Sequence, residues 1–492
     1  MRTITAHYGD KTTPKSQTPA FCVGAGRAQE MLRAVPQQQL KLAHEECGFR
    51  YLRFHGLLCD EMQVYSENEQ GEPVYNFIYI DHCMDGVLAA GVKPFVELSF
   101  SPDAMKTGDQ QLFWWHANVT PPDLGKWQGL MRALCTHWLD RYGAEEVHSW
   151  YFEVWNEPNW PPFFTGTQRD YFDLYDATAR AIKGVDAALR VGGPATCANA
   201  WIPELIAHCH EKQVPLDFIS THAYGVDGVL DEDGKQQLWL NKKPDNLAEQ
   251  ITESRRQIEA SVMPGLELHY TEWSASYSSR DCIHDSFFEA SYILHTLKKA
   301  EAAATSMSYW TYTDIFEELC PPPSPFHGGF GLMNAQSARK PAWLAYSLLN
   351  RLPDGMLTTE DGESWVGKDE KGVAALLWDF RIPQQDACNN VYFTRDLQPA
   401  ALPPVRFAVD GLPRGKYRRT LVRVGAGSND AYHTYFAQGR PQSPTLAQET
   451  AIRESAMGAP ESETIVTIDG AYTEDIPLRE HDVVAVRLEK LD

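Results

Sequence analysis

The 492-residue sequence contains no long hydrophobic run. No window offers the roughly 18 consecutive apolar residues that a membrane-spanning helix needs. The first residues, MRTITAHYGDKTTPKSQ, also lack the apolar segment of a secretory signal. These absences exclude a membrane-spanning helix and predict a cytoplasmic protein, or a periplasmic one if a leader precedes the sequence.

Paired cysteines and an excess of positive charge are missing as well. The ten Cys are scattered singly with no CxxC pair, which predicts reduced, mostly buried thiols and not a disulfide framework. Lys and Arg number 44 against 66 Asp and Glu, a net charge of −22 that would repel phosphate backbones and anionic lipids. We therefore expect no nucleic-acid partner and no membrane partner, and a neutral or cationic ligand fits better.

Nucleotide-binding and metal-binding patterns are incomplete. The run GAGRAQ at 24–29 would need Gly at its last position for a dinucleotide fingerprint, and no Walker-type loop occurs. The run HCH at 208–210 lies in a helical pattern, where adjacent side chains point to different faces. The acidic stretch 231–234 lacks the later Gly and Glu of a calcium loop. We predict no metal and no organic cofactor.

The sequence is rich in apolar residues, at 43%, and they follow an alternating pattern. Stretches with apolar residues three and four apart, such as Ile80, Met84, Val87 and Leu88, separate short apolar runs and predict amphipathic helices. Eight such strand-helix units predict a parallel (β/α)₈ barrel, or TIM barrel, over residues 15–350, with a doubly wound open sheet as the alternative. The eight predicted strands are 20–26, 49–54, 93–100, 150–155, 190–195, 217–222, 266–272 and 306–312.

After residue 350 the pattern changes to short β-branched segments between Gly, Pro and Asp. This texture predicts a C-terminal accessory β-sandwich over residues 351–492, to which residues 1–14 add a strand. The predicted strands are 372–380, 390–395, 418–424, 463–468 and 482–491. Because these segments show no row of exposed aromatics, we expect a structural brace and not a separate binding module.

Two glutamates stand where predicted barrel strands stop. Glu157 ends the fourth strand just before Pro158, and Glu272 ends the seventh beside aromatic residues. Chemistry in a parallel barrel gathers at the carboxyl ends of the strands, and two facing carboxyls are what cleavage of a glycosidic bond needs. The alternative for each is a rim carboxylate that caps a helix or pairs with Arg, and Glu267 shows that this strand also carries carboxylates for structural reasons.

Five motifs occur in an order that resembles glycoside hydrolase family 39, which contains β-xylosidases and α-L-iduronidases. In chain order they are WNEP at 155–158, VGGPA at 191–195, STHAYG at 220–225, HYTEW at 269–273 and WTYTDIFEE at 310–318. The resemblance covers nearly the whole barrel and implies a retaining mechanism. It makes Glu157 the acid/base, Glu272 the nucleophile, and Asn156 a donor to the sugar 2-hydroxyl or to the nucleophile.

The same resemblance implies a pocket for the non-reducing sugar. Its predicted substrate-binding residues are His55, His222, Tyr224, Tyr277, Trp310, Glu317 and Glu318. Five of the seven have a plainer alternative: the two histidines as core residues, Trp310 as packing at the barrel top, and the two glutamates as solvated loop residues. The end of the chain looks short beside tetrameric members, so the oligomeric state stays open, with a monomer favoured.

The resemblance, together with the two strand-end glutamates, implies a retaining, exo-acting β-xylosidase that removes single β-xylosyl units from xylobiose and short xylo-oligosaccharides. Inserts at about 101–123, 225–245 and 313–339 would wall the barrel mouth into a pocket, which favours exo action. An α-L-iduronidase is the alternative within the family, although binding of its substrate carboxylate would require Arg or Lys near the site. A barrel that binds sugar without hydrolysing it is the other alternative, and the two glutamates argue against it. Double displacement predicts carboxyls about 5–5.5 Å apart.

Overall fold

A computed structural model describes residues 2–491 and shows the predicted TIM barrel. Eight strands pair in parallel around a closed ring, so the barrel prediction is confirmed and the open sheet is excluded. Numbered 1 to 8 along the chain, the barrel strands are Cys22–Arg27, Tyr51–His55, Lys93–Leu98, Tyr151–Val154, Arg190–Cys197, Phe218–Tyr224, Glu267–Ser274 and Ser306–Tyr309.

The barrel is plugged with aromatic rings at the amino ends of its strands. Phe95 and Tyr151 stack with ring centroids 4.9 Å apart, and Phe218 meets Tyr151 edge-on at 5.3 Å. His269 packs against all three of these rings from barrel strand 7. Because this end is filled, polar side chains that point into the barrel can meet solvent only at the carboxyl ends of the strands.

Helices surround the barrel, and most bury one apolar face, whereas Phe288–Ala300 and Pro341–Asn350 are buried on nearly every side. Helix Gln168–Val185 begins at a capping box in which Thr167 and Asp170 bond each other's backbone, which satisfies two of its free amide groups. Within residues 2–491, no helix is long and apolar enough to cross a membrane. The barrel helices are Ala34–Leu42, Ile78–Ala89, Leu124–Tyr142, Ala144–Val147, Gln168–Val185, Ile202–Lys212, Asn246–Glu259, Phe288–Ala300 and Pro341–Asn350.

Three short hairpins extend the loops of the barrel. They pair Tyr65–Glu67 with Pro73–Tyr75, Gln111–Leu112 with Ala117–Asn118, and Val226–Leu230 with Gln236–Leu240. The last two lie in predicted inserts 101–123 and 225–245. Both inserts follow carboxyl ends of barrel strands, so both stand on the face that carries the two glutamates.

The accessory domain is one hydrogen-bonded, mixed sheet of eight strands. Alternate residues of these strands pack into a single apolar core, so the sheet curls until two of its parts face each other like the layers of a sandwich. The first strand of the chain belongs to it: Thr3 pairs with Arg406, in parallel. The strands are Thr3–His7, Thr13–Pro14, Gly355–Leu357, Ser364–Asp369, Gly372–Trp378, Ala401–Val424, Ser462–Arg479 and Val483–Lys490.

One predicted strand of this domain is wrong. Segment 390–395 begins inside a short helix, Asn389–Tyr392, although its composition favours a strand. The side chain of Asn389 donates to Asp281 Oδ2 and accepts from the Leu240 amide, both on barrel loops. These tertiary contacts outweigh the local preference. Two further helices of this region, Ala431–Ala437 and Leu446–Glu454, also lie outside the sheet.

The barrel and the accessory domain share an apolar contact along helix Phe288–Ala300. Phe380 stacks on His295 at 4.1 Å and packs against Phe288 at 5.9 Å, while Phe393 lies 5.6 Å from Phe288. Trp365 contacts the same helix through Lys298. The sheet therefore covers an aromatic strip of the barrel.

Removal of residues 353–492 should make the barrel insoluble, because it uncovers this strip and leaves the first strand unpaired. The measurement is the soluble fraction after expression, compared with the full chain. A soluble, active barrel that binds xylan less well would show instead that the domain is a carbohydrate-binding module.

Candidate active site

The two predicted catalytic glutamates lie at the carboxyl end of the barrel. Glu272 is on barrel strand 7, and Glu157 follows barrel strand 4 by three residues. Trp155 and Glu157 adopt left-handed backbone angles, with φ of 69° and 45°, which non-glycine residues rarely accept. The Glu157 amide donates to the Ala195 carbonyl, which holds this turn. Strain of this kind is typical of functional positions.

The two carboxyls face each other across His222. Glu157, His222 and Glu272 each offer one atom such that all three lie within 4.8 Å of one another. His222 Nδ1 is 2.9 Å from Glu157 Oε1 and 3.7 Å from Glu272 Oε2. Burial, reinforced by the nearby Glu272 carboxylate, raises the pKa of Glu157 well above its ordinary value. A carboxyl in this setting holds its proton near neutral pH.

Glu272 sits in a different environment. Arg53 Nη1 donates to its Oε1 at 2.7 Å, and the Tyr224 hydroxyl donates to its Oε2 at 2.6 Å. Both oxygens of Glu272 therefore accept a hydrogen bond, one of them from a cationic group. The two glutamates thus lie at close range in different surroundings, Glu157 against a histidine and Glu272 against an arginine and a tyrosine.

Arg53 is the fully buried centre of this site, and sequence reasoning missed it. Its Nε donates to Glu153 at 2.6 Å, and its Nη2 lies 2.8 Å from Asn156 Oδ1 and 2.7 Å from Glu97 Oε2. Burial opposes its charge, but the carboxylates of Glu153, Glu97 and Glu272 outweigh burial and raise the pKa of Arg53. The available signal was a charged residue inside each of three otherwise apolar barrel strands.

His55 connects this network to the loop after barrel strand 8. Its Nδ1 contacts Glu97 Oε2 at 2.7 Å, and its Nε2 is 3.6 Å from Glu272 and 3.7 Å from Glu318. Burial alone would lower the pKa of His55, but Glu97 and Glu272 outweigh it and raise that pKa. Burial also raises the pKa of Glu318 to about 8. Of the sequence-predicted residues, His55 therefore lies next to Glu272, and Glu318 lies next to His55.

Trp310, just after barrel strand 8, closes one side of the site. Its ring lies 4.7 Å from the His55 ring and 5.5 Å from the Arg53 guanidinium. A side chain on Gly24 would overlap the ring, so the close packing requires glycine there. The indole is only 2% exposed, and Phe316 packs edge-on against it.

Two predicted residues lie farther out. The Glu317 carboxylate pairs with Arg33 at 2.5 Å and Arg27 at 3.5 Å, so of the adjacent glutamates Glu318 is the one near His55. Tyr277 is 44% exposed, contacts Tyr224 edge-on, and accepts a hydrogen bond from Gln236. The structure thus brings eight of the ten predicted residues together and leaves Glu317 and Tyr277 at the edge.

Two of the three inserts meet at the barrel mouth, and the third contacts Tyr277. Trp114 Nε1, from insert 101–123, donates to the Glu317 carbonyl of insert 313–339 at 2.7 Å. The Trp114 and Trp115 rings enclose the Arg27 guanidinium, at 5.3 and 5.1 Å. On the other side, Gln236 of insert 225–245 bonds Tyr277. These contacts wall the mouth on two sides.

The spacing of Glu157, His222 and Glu272 would also suit a cation. Among residues 2–491 this is the group of three whose ligand atoms come close enough. Arg53, Tyr224 and His222 already occupy the facing carboxylate oxygens. A metal would have to displace these partners, so the residues fit a pair of reacting carboxyls better than a metal centre.

Comparison with known proteins identifies the family. The model of glycosyl hydrolases family 39 matches residues 8–473. A β-xylosidase of Geobacillus stearothermophilus is 38% identical over 482 residues, covering 96% of this chain and 92% of that protein. A β-xylosidase of Caldicellulosiruptor saccharolyticus is 43% identical over 353 residues, 71% of each chain.

A solved structure shares the whole architecture. The crystal structure of a monomeric β-xylosidase from Caulobacter crescentus CB15 superposes with a TM-score of 0.97 at 41% identity, and each chain is covered completely. Barrel, accessory sheet and their order along the chain therefore have a precedent. The chain belongs to glycoside hydrolase family 39 and is a glycosidase similar to bacterial β-xylosidases.

Proposed function

We propose that this protein is a retaining, exo-acting β-xylosidase. The observation that carries the proposal is the pair Glu157 and Glu272, whose nearest oxygens lie within 4.8 Å. Retaining glycosidases hold their carboxyls about 5–5.5 Å apart, whereas inverting ones need about 6.5–9.5 Å for an intervening water. Direct attack by one carboxylate on the anomeric carbon fits this separation.

The roles follow from the surroundings of each carboxyl. Glu157, buried and next to a negative charge, holds the proton that the leaving oxygen takes up. Glu272, held by Arg53 and Tyr224, attacks the anomeric carbon and forms the covalent glycosyl-enzyme. In the second step Glu157 accepts a proton from water, which releases the sugar with its configuration kept.

We propose xylobiose and short xylo-oligosaccharides in the cytoplasm as substrates. The walled mouth suits a chain end better than a chain interior, and we expect His55, Asn156, Trp310 and Glu318 to hold the terminal sugar. Both similar bacterial enzymes are named β-xylosidases. Because the similar Caulobacter enzyme is monomeric, we propose a monomer here too.

The cations near the site count against an α-L-iduronidase. Arg53 is shared among Glu97, Glu153 and Glu272, and Arg27 is paired with Glu30 and Glu61. A substrate carboxylate would have to compete with these glutamates for a positive partner, so a neutral pentoside is the better fit.

Nitrophenyl glycosides test the substrate class. We expect kcat/KM for the β-xyloside to exceed that for the α-arabinoside, the β-glucoside and the α-iduronide, and the released xylose to be the β-anomer by NMR. A Glu272→Gln preparation, purified in the same way, controls for contaminating activity. Faster turnover of iduronide would overturn the xylosidase assignment, and release of α-xylose would overturn retention.

A further inference from the structure

A buried chain of hydrogen bonds leads away from Glu157 into the barrel. His222 Nδ1 is 2.9 Å from Glu157 Oε1, and His222 Nε2 is 3.1 Å from Thr271 Oγ1. Thr271 Oγ1 is 2.8 Å from Glu153 Oε1. All four residues are buried, so these groups must satisfy one another.

The positions of the hydrogens in this series of hydrogen bonds are fixed by Glu153, which lies at the end farthest from Glu157. Burial raises the pKa of Glu153, but Arg53 Nε donates to its Oε2 at 2.6 Å, and beside this full positive charge Glu153 faces Thr271 as an acceptor. The single hydroxyl hydrogen of Thr271 therefore goes to Glu153 Oε1. The Thr271 oxygen is then left to accept, and the donor facing it is His222 Nε2.

His222 is neutral in this position. Burial, followed by the charges of Arg53 and His55, lowers its pKa well below the ordinary value. A neutral imidazole carries one hydrogen, and the bond to Thr271 places it on Nε2. Nδ1 is then a bare lone pair that faces Glu157 Oε1, and only a protonated Glu157 can donate to it.

We propose that Thr271, held by Glu153, is a positioning residue that fixes His222 as the Nε2–H tautomer, so that Nδ1 accepts the acid proton of Glu157. The inference rests on the proposed role of Glu157 as acid/base. It assigns a task to two residues, Thr271 and Glu153, that reach neither the sugar nor the reacting atoms.

The arrangement serves both steps of the reaction. When Glu157 gives its proton to the leaving oxygen, its carboxylate faces a lone pair and loses a hydrogen bond. That loss strengthens Glu157 as a base, and water returns a proton to it in the second step. Glu153, Thr271 and His222 keep their hydrogens throughout, so the protons balance between substrate, Glu157 and water.

Other charged and titratable groups also act on Glu157, and they stay in place when only Thr271 changes. They are Glu272, Arg53, Glu318, Glu97, Tyr224 and Cys197. A shift that appears in a Thr271 variant therefore reports on the tautomer of His222.

The test compares Thr271→Val, which keeps the shape and removes the hydroxyl, with Thr271→Ser, which keeps the hydroxyl. In Thr271→Val the Nε2–H has no acceptor, so His222 turns to the Nδ1–H form and stabilises ionised Glu157. We expect the alkaline limb of kcat/KM for xylobiose to move down by about one pH unit, the size of one hydrogen bond exchanged between protonation states. In Thr271→Ser it should stay within a few tenths of a unit of wild type.

A merely structural role would lower activity equally at every pH, and that result, or an equal shift in both variants, would overturn the proposal. NMR of the wild type labelled with ¹⁵N-histidine gives an answer even if Thr271→Val fails to fold. The His222 signals, assigned by their loss in His222→Gln, should show hydrogen on Nε2, and hydrogen on Nδ1 would refute the inference. Absence of xylobiose hydrolysis would instead refute the proposed function, and the NMR result would stand apart from it.

Discussion

Replacing Glu272 with alanine is expected to abolish turnover of every glycoside that the enzyme accepts. Without this carboxylate no covalent intermediate can form, so good and poor leaving groups should suffer alike. We expect kcat to fall on the order of 10⁴-fold or more. The measurement is kcat for nitrophenyl xyloside and for xylobiose, side by side.

Two further variants make the result specific. Glu272→Gln keeps the size of the side chain and should be as inactive, which separates loss of the nucleophile from loss of packing around Arg53 and Tyr224. Glu267→Ala removes a half-exposed carboxylate from the amino end of the same strand and should leave kcat unchanged. Azide added to Glu272→Ala should give α-xylosyl azide, since it attacks from the vacated side. Activity retained in Glu272→Gln would show that another group is the nucleophile.

Replacing Glu157 with alanine should separate substrates by their leaving group. Xylobiose needs a proton on its departing oxygen, so the first step should slow by about 10²–10⁴-fold. An activated nitrophenyl xyloside departs without that proton, so its first step should be far less affected. The comparison is kcat/KM for the two substrates in the same variant.

The second step of Glu157→Ala supplies an independent measurement. Because the general base is missing, the xylosyl-enzyme should accumulate and release a burst of nitrophenol equal to the enzyme concentration. Azide needs no deprotonation, so it should restore turnover and yield β-xylosyl azide. If azide gave the α-product in this variant, the roles of the two glutamates would have to be exchanged.

The barrel could be predicted because its signal is local and repeated. Each strand such as Lys93–Leu98 is a short apolar run next to a helical stretch, and the closed ring follows from eight such units. The segment 390–395 was not predictable in this way, because Asn389 is anchored by residues more than 100 positions away.

The part of the site that lies at the ends of barrel strands could be predicted from the sequence. Glu157 and Glu272 stand at strand ends, where sequence position alone says that a side chain meets the barrel mouth. Arg53, Glu97 and Glu153 lie within strands, and whether such a residue points inward depends on the register and tilt of all eight strands. Thr271 is harder still, since its task depends on which partner takes its single hydroxyl hydrogen.

The pairing of Thr3–His7 with Ala401–Val424 also sets an order of events during synthesis. The partners of Thr3–His7, Arg406 to Asp410, are synthesised about 400 residues after it. At 5–20 residues per second Thr3–His7 waits about 20–80 s for these partners, and the whole barrel is made during that time. Thr3–His7 therefore pairs only after the barrel has been made, and this pairing joins the segment before the barrel to a strand that follows it.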